Sequence, residues 1–589
     1  MKIPRPEYPR PQFERKDFLN LNGEWDYAFD YSRSGEERFW EKGIIPQGKI
    51  LVPFCPESVL SGVGFTDFID RIWYQRSFSI PDSWAGKKIL LHFGGVDYES
   101  VIYVDGTEVG RHTGGVTPFT VDLTHKVQSG TIHQLVLLAK DDVRSGLQPV
   151  GKQSPWLKSA LCSYTRTTGI WQTVWMEAVD FCGLEKCRIL PDYDNGSFTF
   201  LPVFYNIRKG MKFSVSVLDG EKEVASALIH AGSAAVLQLS LPCPRAWSPE
   251  DPFLYTIKYV VYDKDGKILD EVSSYAGLRK IHLEDGRYFL NNKPIFLRFV
   301  LDQGFYRDGI WTAPSDEALK QDILLAMKAG FNGARLHQKI FEERFHYWAD
   351  HLGYLTWGEF ADWGMSFWSH EQAPNPDYMK SFRNLFPEWT AVVERDCNHP
   401  SIITWSPFNE TRSAMDITEH RRIIRDIVEL TKKLDPSRPV NDTSGYCHVK
   451  TDLWTVHLYA QNEEELKKFL DRDPVYIQYP ELEKDAWENQ PYLVDEYGGV
   501  SFIPEGETPY ADNSWGYNSE ILDQQETEQR IHALTEVLVK HPRVAGYCYT
   551  QLTDIEQEQN GIYNYDRKLK LDEKVVRKCF TMKPSWSHF

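Results

Sequence analysis

The sequence predicts two β-sandwiches followed by a (β/α)8 barrel, and three observations carry this prediction. The chain has 589 residues, which at roughly 150 residues per domain is enough for about two to four domains. Residues 1–280 consist of short alternating segments separated by turn signals, with almost no helical periodicity. From about residue 285, apolar runs alternate with amphipathic helices. An open doubly wound sheet is the alternative for this second half, but it would require a glycine-rich phosphate loop after its first strand, which the sequence lacks.

Residues 1–180 and residues 181–280 are predicted to form the two sandwiches. Short alternating segments flank several Asp-Gly pairs, and this pair is a strong signal for a two-residue hairpin turn. Short strands with regular turn signals favour β-sandwiches. The break follows the segment TGIWQTVWMEAVD, which ends at Asp180. The turn pairs are Asp105-Gly106, Asp219-Gly220 and Asp265-Gly266.

Residues 281–589 are predicted to form the barrel. Its first helix begins after the N-cap Ser315, repeats apolar residues from Leu319 at four-residue spacing, and ends at Gly330. A second clear helix spans 525–542. Eight strand-like runs in about 300 residues fit a (β/α)8 barrel. The runs are FLRFVLDQG, FNGARLH, YLTWGEF, IITWSPFNE, VNDTSGY, DLWTVHLY, YLVDEYGG and GYCYTQL.

Composition excludes some classes of function. The formal net charge of −18 argues against a non-specific binder of nucleic acid or of an anionic membrane. Aromatic residues make up 14% of the chain, which suits either core packing or stacking against sugar rings. The nine cysteines are scattered, without a CxxC pair, and no signal peptide or membrane span is evident. We therefore expect reduced thiols, a cytoplasmic location, no cofactor and no metal site.

Polar residues follow most of the predicted barrel strands. Catalytic groups of such barrels lie at the carboxyl ends of the strands, and burying polar groups there without a partner or a use is costly. The sequence therefore predicts an active site at this end. The candidate residues are Asp302, Arg335, His337, Glu359, Asn409, Glu410, His457, Tyr459, Glu496 and Tyr549.

Glu410 and Glu496 stand out among these candidates. They fall on the fourth and seventh predicted strands, which lie across the barrel mouth from each other. Two opposed carboxyl groups are the apparatus for cleaving a glycosidic bond, one donating a proton and the other attacking the anomeric carbon. The alternative is structural, with each glutamate paired to a nearby arginine such as Arg335 or Arg412.

Several motifs resemble those of glycoside hydrolase family 2, and together they cover nearly the whole chain. Asn409-Glu410 and Asp495-Glu496-Tyr497-Gly498 resemble its acid/base and nucleophile signatures. LNGEWDYAF, VPFCPES, WYQRSF, LHFGGVDYESVIYVDGTEVGRHTGGVTPF and TGIWQTVW resemble its N-terminal, jelly-roll, sugar-binding-like sandwich. WSPEDPFLY is similar to the end of its immunoglobulin-like sandwich, and GLRKI with FLNNKPIFLRFV resembles the entry to its TIM barrel.

The resemblance implies an exo-acting, retaining hydrolase of a glycoside or an oligosaccharide. Glu496 would attack the anomeric carbon, and Glu410 would act as acid and then as base. Asn409 matches the asparagine that binds the sugar 2-hydroxyl. Arg335 matches the arginine that keeps the nucleophile ionised, and Tyr459 a tyrosine that donates to it. His337 and His457 would line the pocket; a metal site on them is the less favoured alternative.

The identity of the sugar is less well defined. The family's β-glucuronidases carry an Asn-x-Lys pair that grips the sugar carboxylate, and the matching positions here hold Glu558 and Asn560. An acid in place of a cation disfavours a uronide, so we expect a neutral sugar, with a β-galactoside leading. Asp302 would bind neighbouring hydroxyls. Tyr549 replaces a tryptophan platform common in the family.

Several alternatives remain open at this stage. A uronide stays possible if Arg567 or Lys568 supplies the missing cation, and an arabinoside or a galactofuranoside fits an altered pocket. Trp363 and Trp368 would form a wall for the leaving group, or only pack within their loop. A non-catalytic carbohydrate-binding protein and a glycosyl transferase on the same scaffold are the rival functions, and a homo-oligomer is also open.

Overall fold

The computed structural model describes residues 3–364, 378–411, 417–473, 475–478 and 487–586. Trp368 and Arg412, both named in the sequence analysis, lie outside these residues. Within the described residues, no helix combines the length and the hydrophobicity that crossing a membrane requires. Among the residues that the structure describes, none of the nine cysteines forms a disulfide. The cytoplasmic location stays a prediction.

The first part of the chain is an antiparallel β-sandwich. A six-stranded sheet, in the order β3-β2-β4-β10-β7-β8, and a four-stranded sheet, β1-β12-β5-β9, enclose an apolar core that includes Trp25, Tyr74 and Leu137. Asp105 and Gly106 both have positive φ, as the hairpin turn between β7 and β8 requires. The strands are β1 Phe18–Asn20, β2 Gly23–Phe29, β3 Gly48–Val52, β4 Arg71–Ser79, β5 Lys88–Phe93, β6 Val96–Asp97, β7 Glu99–Val104, β8 Thr107–Thr113, β9 Phe119–Asp122, β10 Ile132–Lys140, β11 Gly169–Ile170 and β12 Val174–Val179.

A second antiparallel sandwich follows. Sheets β13-β14-β17 and β16-β15-β18-β19 bury a core that includes Phe200, Phe213 and Tyr259. The predicted turns at residues 219–220 and 265–266 join neighbouring strands of this unit. The strands are β13 Leu184–Asp192, β14 Ser197–Phe204, β15 Lys212–Asp219, β16 Lys222–His230, β17 Leu237–Ser240, β18 Tyr255–Tyr262 and β19 Ile268–Ala276.

The remaining chain forms the predicted barrel of alternating strands and helices. A small sheet of β20 (Ile281–Glu284), β21 (Arg287–Leu290) and β22 (Lys293–Ile295) packs against residues inside the barrel such as Leu297 and Trp357. The strands are β23 Leu297–Asp302, β24 Gly333–Leu336, β25 Leu355–Glu359, β26 Ile402–Ser406, β27 Trp454–Leu458, β28 Tyr492–Gly498 and β29 Val544–Thr550. The helices are α1 Asp316–Ala329, α2 Glu343–Leu352, α3 Tyr378–Asp396, α4 Ile417–Leu434, α5 Glu463–Leu470, α6 Gln524–Lys540 and α7 Glu573–Phe580.

The seven regular barrel strands are parallel and follow the order β26-β25-β24-β23-β29-β28-β27. The predicted fifth strand, VNDTSGY, does not form a regular strand. It lies beside β26 through two isolated bridges, Trp405 with Val440 and Asn409 with Ser444. The side chain of Asp442 accepts hydrogen bonds from the backbone of the neighbouring loop, at 2.6 Å from Val449 N. Such side-chain bonds compete with the sheet ladder, so the segment is irregular.

Candidate active site

The alternation of side chains along each strand decides which residues enter the barrel mouth. Ala334 and Leu336 pack with the surrounding helices, so Arg335 and His337 point inward. By the same alternation Val456 and Leu458 pack outward and His457 points inward. The carboxyl ends of neighbouring parallel strands meet at one edge, so these side chains converge there.

Glu496 reaches this mouth because β28 carries a bulge. Val494 pairs with Tyr547 and Tyr497 pairs with Tyr549, so β28 has one more residue than β29 over this stretch. The extra residue brings both Asp495 and Glu496 towards His457, which lies 3.6 Å and 3.3 Å from their carboxylate oxygens. Bulges of this kind re-aim side chains next to functional sites.

The surroundings of Glu496 keep it ionised. Arg335 Nη1 donates to Oε1 at 2.9 Å, and the Tyr459 hydroxyl donates to Oε2 at 2.5 Å. Burial alone would raise the pKa of Glu496, but the charges of His457 and Arg335 and the bond from Tyr459 lower it overall. A buried carboxylate that is held in its ionised form is suited to nucleophilic attack.

Glu410 lies immediately after β26 and faces Glu496. Its backbone has φ 53°, a left-handed conformation that is uncommon for a residue other than glycine and is frequent at functional sites. Its side chain is 19% exposed, whereas that of Glu496 is 5% exposed. Glu410 therefore stands nearer to solvent than Glu496.

One imidazole joins the two carboxylates. His457 Nδ1 lies 2.7 Å from Glu410 Oε1 and 3.3 Å from Glu496 Oε2. Burial opposes protonation of His457, but Glu496, Asp495 and Glu410 raise its pKa overall. One atom each of Glu410, His457 and Glu496 lies within 4.8 Å of the others. That distance alone would also allow a metal ion, but Arg335 and Tyr459 already occupy the carboxylate of Glu496.

Arg335 organises the remaining inner residues. Its guanidinium donates to Glu359 Oε2 at 2.6 Å and to Asn409 Oδ1 at 2.6 Å, in addition to Glu496. His337 Nδ1 lies 2.8 Å from Glu359 Oε1. Burial and the charge of Arg335 hold the pKa of His337 well below its usual value, so its ring is neutral. The structural alternative from the sequence is thus partly realised, since Arg335 pairs with Glu359 and Glu496 together.

Asn409 presents a donor to the pocket. Its carbonyl oxygen is held by Arg335, while its buried amide nitrogen has no hydrogen-bond partner within the described residues. An unsatisfied buried donor is costly, so the arrangement fits a site whose ligand supplies the acceptor.

The structure does not place Asp302 or Tyr549 in this pocket. Val300 and Tyr549 pack among the outer helices, and the alternation turns Asp302 to the same side. The pKa of Asp302 is raised to about 6 by burial and by Asp322 of α1. The inward positions belong instead to the neighbouring residues, Gln303 and Thr550. Both predictions were wrong, because in each strand the residue that faces the barrel interior is the next one along the chain.

Aromatic side chains border the mouth. Trp363 Nε1 donates to the backbone oxygen of Asn409 at 3.4 Å, so this ring lies beside Asn409, and its role as a wall for the leaving group stays a prediction. The ring of Tyr517 stacks on that of Tyr459 at 3.4 Å, with an angle of 2° between the planes. Tyr517 lies in an irregular segment, so nothing in the sequence pattern singled it out.

Glu558 lies at one wall of the pocket, where residues of the first sandwich join it. Its carboxylate accepts a hydrogen bond from Asn560 at 3.1 Å and another from the hydroxyl of Tyr164. Burial raises the pKa of Glu558, and the nearby charge of Lys152 partly offsets this. Sequence reasoning missed Tyr164 and Lys152, because they lie about 400 residues away from Glu558 along the chain.

Three family profiles match this chain. The description "Glycosyl hydrolases family 2, TIM barrel domain" matches residues 281–583, "Glycosyl hydrolases family 2" matches 205–279, and "Glycosyl hydrolases family 2, sugar binding domain" matches 65–144. The first of these covers more than half of the chain.

The chain is also similar to named proteins and to solved structures. It is 24% identical over 456 residues to a β-glucuronidase of Paenibacillus borealis, covering 74% of each chain. It is 24% identical over 545 residues to a β-galactosidase of Thermoanaerobacter pseudethanolicus, covering 88% of this chain and 64% of that one. The crystal structure of a Ruminococcus gnavus β-glucuronidase matches with a TM-score of 0.81 at 19% identity, over 98% of this chain and 99% of that one. At this identity the structural match supports the fold alone.

Proposed function

The chain belongs to glycosyl hydrolase family 2, and from this premise we propose that it is a retaining exo-β-glycosidase whose substrate is a terminal β-glucuronide. Membership makes it an O-glycoside hydrolase. The non-catalytic alternative from the sequence is therefore dropped. The stereochemical course, the sugar and the roles of the individual residues are our proposals.

The observation that carries the mechanism is the separation of the two carboxyl groups. An oxygen of Glu410 and an oxygen of Glu496 lie within 4.8 Å of each other. Retaining glycosidases place their carboxyl groups about 5 Å apart, whereas inverting enzymes need roughly 6.5–9.5 Å to admit a water molecule. The short separation favours direct attack by one carboxylate on the sugar.

In the first step Glu496 is the nucleophile. A carboxylate oxygen of Glu496 forms a bond to the anomeric carbon while the glycosidic C–O bond breaks. Glu410 donates its proton to the departing oxygen, which leaves as an alcohol. Arg335 and Tyr459 hold the attacking carboxylate in place, and the free amide of Asn409 is positioned to bind the sugar 2-hydroxyl as charge develops.

In the second step Glu410, now ionised, removes a proton from water. The water oxygen bonds to the anomeric carbon, and the bond between that carbon and Glu496 breaks. The sugar leaves with the configuration that it had in the substrate, and Glu410 is protonated again for the next cycle. His457 lies between the two carboxylates and its raised pKa allows it to share a proton with them.

The glucuronide is favoured by the relatives, most of which bear the name β-glucuronidase. The neutral β-galactoside expected from the sequence is not confirmed by them. It remains the second candidate because of one observation, the buried carboxylate of Glu558 at the wall of the pocket. The β-galactosidase among the relatives is a second reason to include both sugars in the test.

A panel of 4-nitrophenyl glycosides tests the proposal. We expect the β-D-glucuronide to give the highest kcat/KM against the β-D-galactoside, the β-D-galactofuranoside and α-L-arabinosides, with the β-anomer as the first product by NMR. Glu496→Gln should reduce turnover at least about 10⁴-fold. The exposed Glu464→Gln on α5 is the matched control and should leave turnover unchanged. An α-anomer as first product, or full activity of Glu496→Gln, would contradict the mechanism.

A further inference from the structure

A loop of the first sandwich enters the active site, although the catalytic residues all belong to the barrel. Val150 N donates to the backbone oxygen of Trp363 at 2.7 Å, and Gly151 N donates to that of Ala361 at 3.2 Å. Gly151 has φ 58°, and a Cβ at this position would lie 2.3 Å from the backbone oxygen of Gln338. The loop is thus fixed against the carboxyl end of β25, and the next residue in sequence is Lys152.

Lys152 contacts both Trp363 and Tyr164. Its ammonium nitrogen is 3.9 Å from the ring centroid of Trp363, the residue that contacts Asn409. Its backbone oxygen accepts a hydrogen bond at 2.7 Å from Tyr164 N, and the hydroxyl of Tyr164 bonds to Glu558. Lys152 is therefore linked to Asn409 through Trp363 and to Glu558 through Tyr164.

The ammonium group of Lys152 is buried and has no counterion. The residue is 6% exposed. Among the residues that the structure describes, none forms an ion pair or a hydrogen bond with its Nζ, and the aromatic face of Trp363 is its contact. Burial lowers the pKa of Lys152, but Cys162 and the carboxylates of Glu558, Glu496 and Glu410 act on it through space and together raise this pKa overall. Lys152 is therefore charged, and an unpaired buried charge is costly unless a ligand completes it.

We propose that Lys152 is a substrate-binding, specificity-determining residue supplied by the N-terminal sandwich, and that its ammonium group receives the carboxylate of the terminal uronide. The proposal rests on the function proposed above. It explains how the pocket accepts an anion although Glu558 and Asn560 stand at the positions where an Asn-x-Lys pair was expected.

The neighbouring groups leave Lys152 free for this role. The other cation of the pocket, Arg335, is committed to Glu359, Glu496 and Asn409. Glu558 is itself satisfied by donors from Tyr164 and Asn560, so it does not need the lysine as a direct partner. Three N–H donors on Lys152 remain available for a sugar carboxylate.

The test compares two substrates that differ at C6, 4-nitrophenyl β-D-glucuronide and 4-nitrophenyl β-D-glucoside. For Lys152→Met we expect kcat/KM on the glucuronide to fall on the order of 100-fold, while that on the glucoside changes less than about threefold. Lys152→Arg should recover part of the loss, because it restores a cation. Lys158→Met, an exposed lysine in the same loop, is the matched control and should behave as wild type.

The outcomes separate this inference from the proposed function. If Lys152→Met lowers activity on both substrates equally while the wild type prefers the glucuronide, the carboxylate role of Lys152 is wrong and the proposed function stands. If the wild type prefers neutral glycosides, both the role of Lys152 and the proposed glucuronide substrate are wrong, while the retaining mechanism stands. If the wild type cleaves no glycoside and a 2-fluoro glycoside does not label Glu496, the proposed function itself fails. If Lys152→Met shows no cooperative thermal unfolding and so does not fold, Lys152→Gln is used for the same comparison of the two substrates.

Discussion

Tyr459 illustrates how a single residue sets the working range of the site. Its hydroxyl donates to Glu496 Oε2 at 2.5 Å and also lies 3.1 Å from Thr550 Oγ1. The bond stabilises the ionised carboxylate and is one reason why the pKa of Glu496 is lowered despite burial. In the proposed mechanism attack needs the ionised form, so we expect the hydrogen bond to extend activity to lower pH.

We predict that Tyr459→Phe shifts the acid limb of the pH profile of kcat/KM to higher pH. In the wild type we expect this limb below the ordinary range of a glutamate, because the pKa of Glu496, the proposed nucleophile, is lowered. Loss of the donor should raise the limb by about one pH unit. The pH profile of kcat/KM measures it. Tyr497→Phe removes a hydroxyl that bonds to Thr535 outside the pocket, and it should leave the limb in place. An unmoved limb in Tyr459→Phe would show that the hydrogen bond is incidental.

The sequence predicted the location of a site residue correctly where a family motif lay at the end of a predicted strand. Glu410, Glu496, Arg335 and Asn409 converge as expected. The prediction that Asp302 and Tyr549 line the pocket was wrong because their strands are buried on both faces. A buried parallel strand reads as a continuous apolar run, so the sequence does not reveal which parity faces the barrel interior.

At the scale of elements, irregular segments shape the pocket more than regular strands do. The bulge in β28 turns Glu496 inward, and the irregular stretch from Val440 to Ser444 replaces a regular fifth strand. Hydrophobic periodicity locates the seven regular strands well. It does not locate a bulge or an irregular run, because these depend on local side-chain bonds such as those of Asp442.

The loop at Gly151 is the element that links the first sandwich to the chemistry. We predict that Gly151→Ala lowers kcat/KM on the preferred substrate at least about tenfold. The added Cβ would meet the backbone oxygen of Gln338 at 2.3 Å, and φ 58° is itself unfavourable for alanine. The loop must therefore move, and Lys152 moves with it.

Gly220→Ala is the matched control for this loop. Gly220 has φ 60°, and a Cβ there would meet nothing within 4 Å. It should cost about 1 kcal/mol of stability through backbone strain and leave kcat/KM unchanged. Equal kinetics for Gly151→Ala and the wild type would mean that the loop does not position the active site.

At the scale of the whole molecule, the sandwich and the barrel share buried carboxyl groups. Tyr98 of the first sandwich donates at 2.9 Å to Glu388 of α3, and a Cβ on Gly114 would lie 3.1 Å from the Glu388 carboxyl carbon. The other carboxyl oxygen of Glu388, Oε2, has no hydrogen-bond partner within the described residues. Burial raises the pKa of Glu388 to about 8. The sequence predicted the order of the parts, but not this junction, because contacts between distant segments leave no local pattern.

A carboxyl group that is neutral when folded makes stability depend on pH in a defined direction. Below the ordinary glutamate pKa of 4.5 the carboxyl group is protonated in both the folded and the unfolded chain, and Glu388 adds no pH dependence to the free energy of unfolding. As pH rises towards about 8 the unfolded chain ionises and the folded one does not. The free energy of unfolding therefore falls, by about 1.4 kcal/mol per pH unit at most. Glu57 and Asp141, each with a pKa raised to about 7 by burial, act in the same direction.

We predict that Glu388→Gln flattens the fall of Tm between pH 5 and pH 8 without removing it, since glutamine cannot ionise while Glu57 and Asp141 still do. Glutamine keeps the acceptor for Tyr98, so the junction itself is preserved. The control is Glu394→Gln on the same helix, where the carboxylate pairs with Lys186 and is 47% exposed; its Tm should follow the wild-type curve. The measurement is the Tm of the wild type and of both variants across this pH range. A Glu388→Gln curve parallel to the wild type would place the pH dependence elsewhere than at the contact between sandwich and barrel.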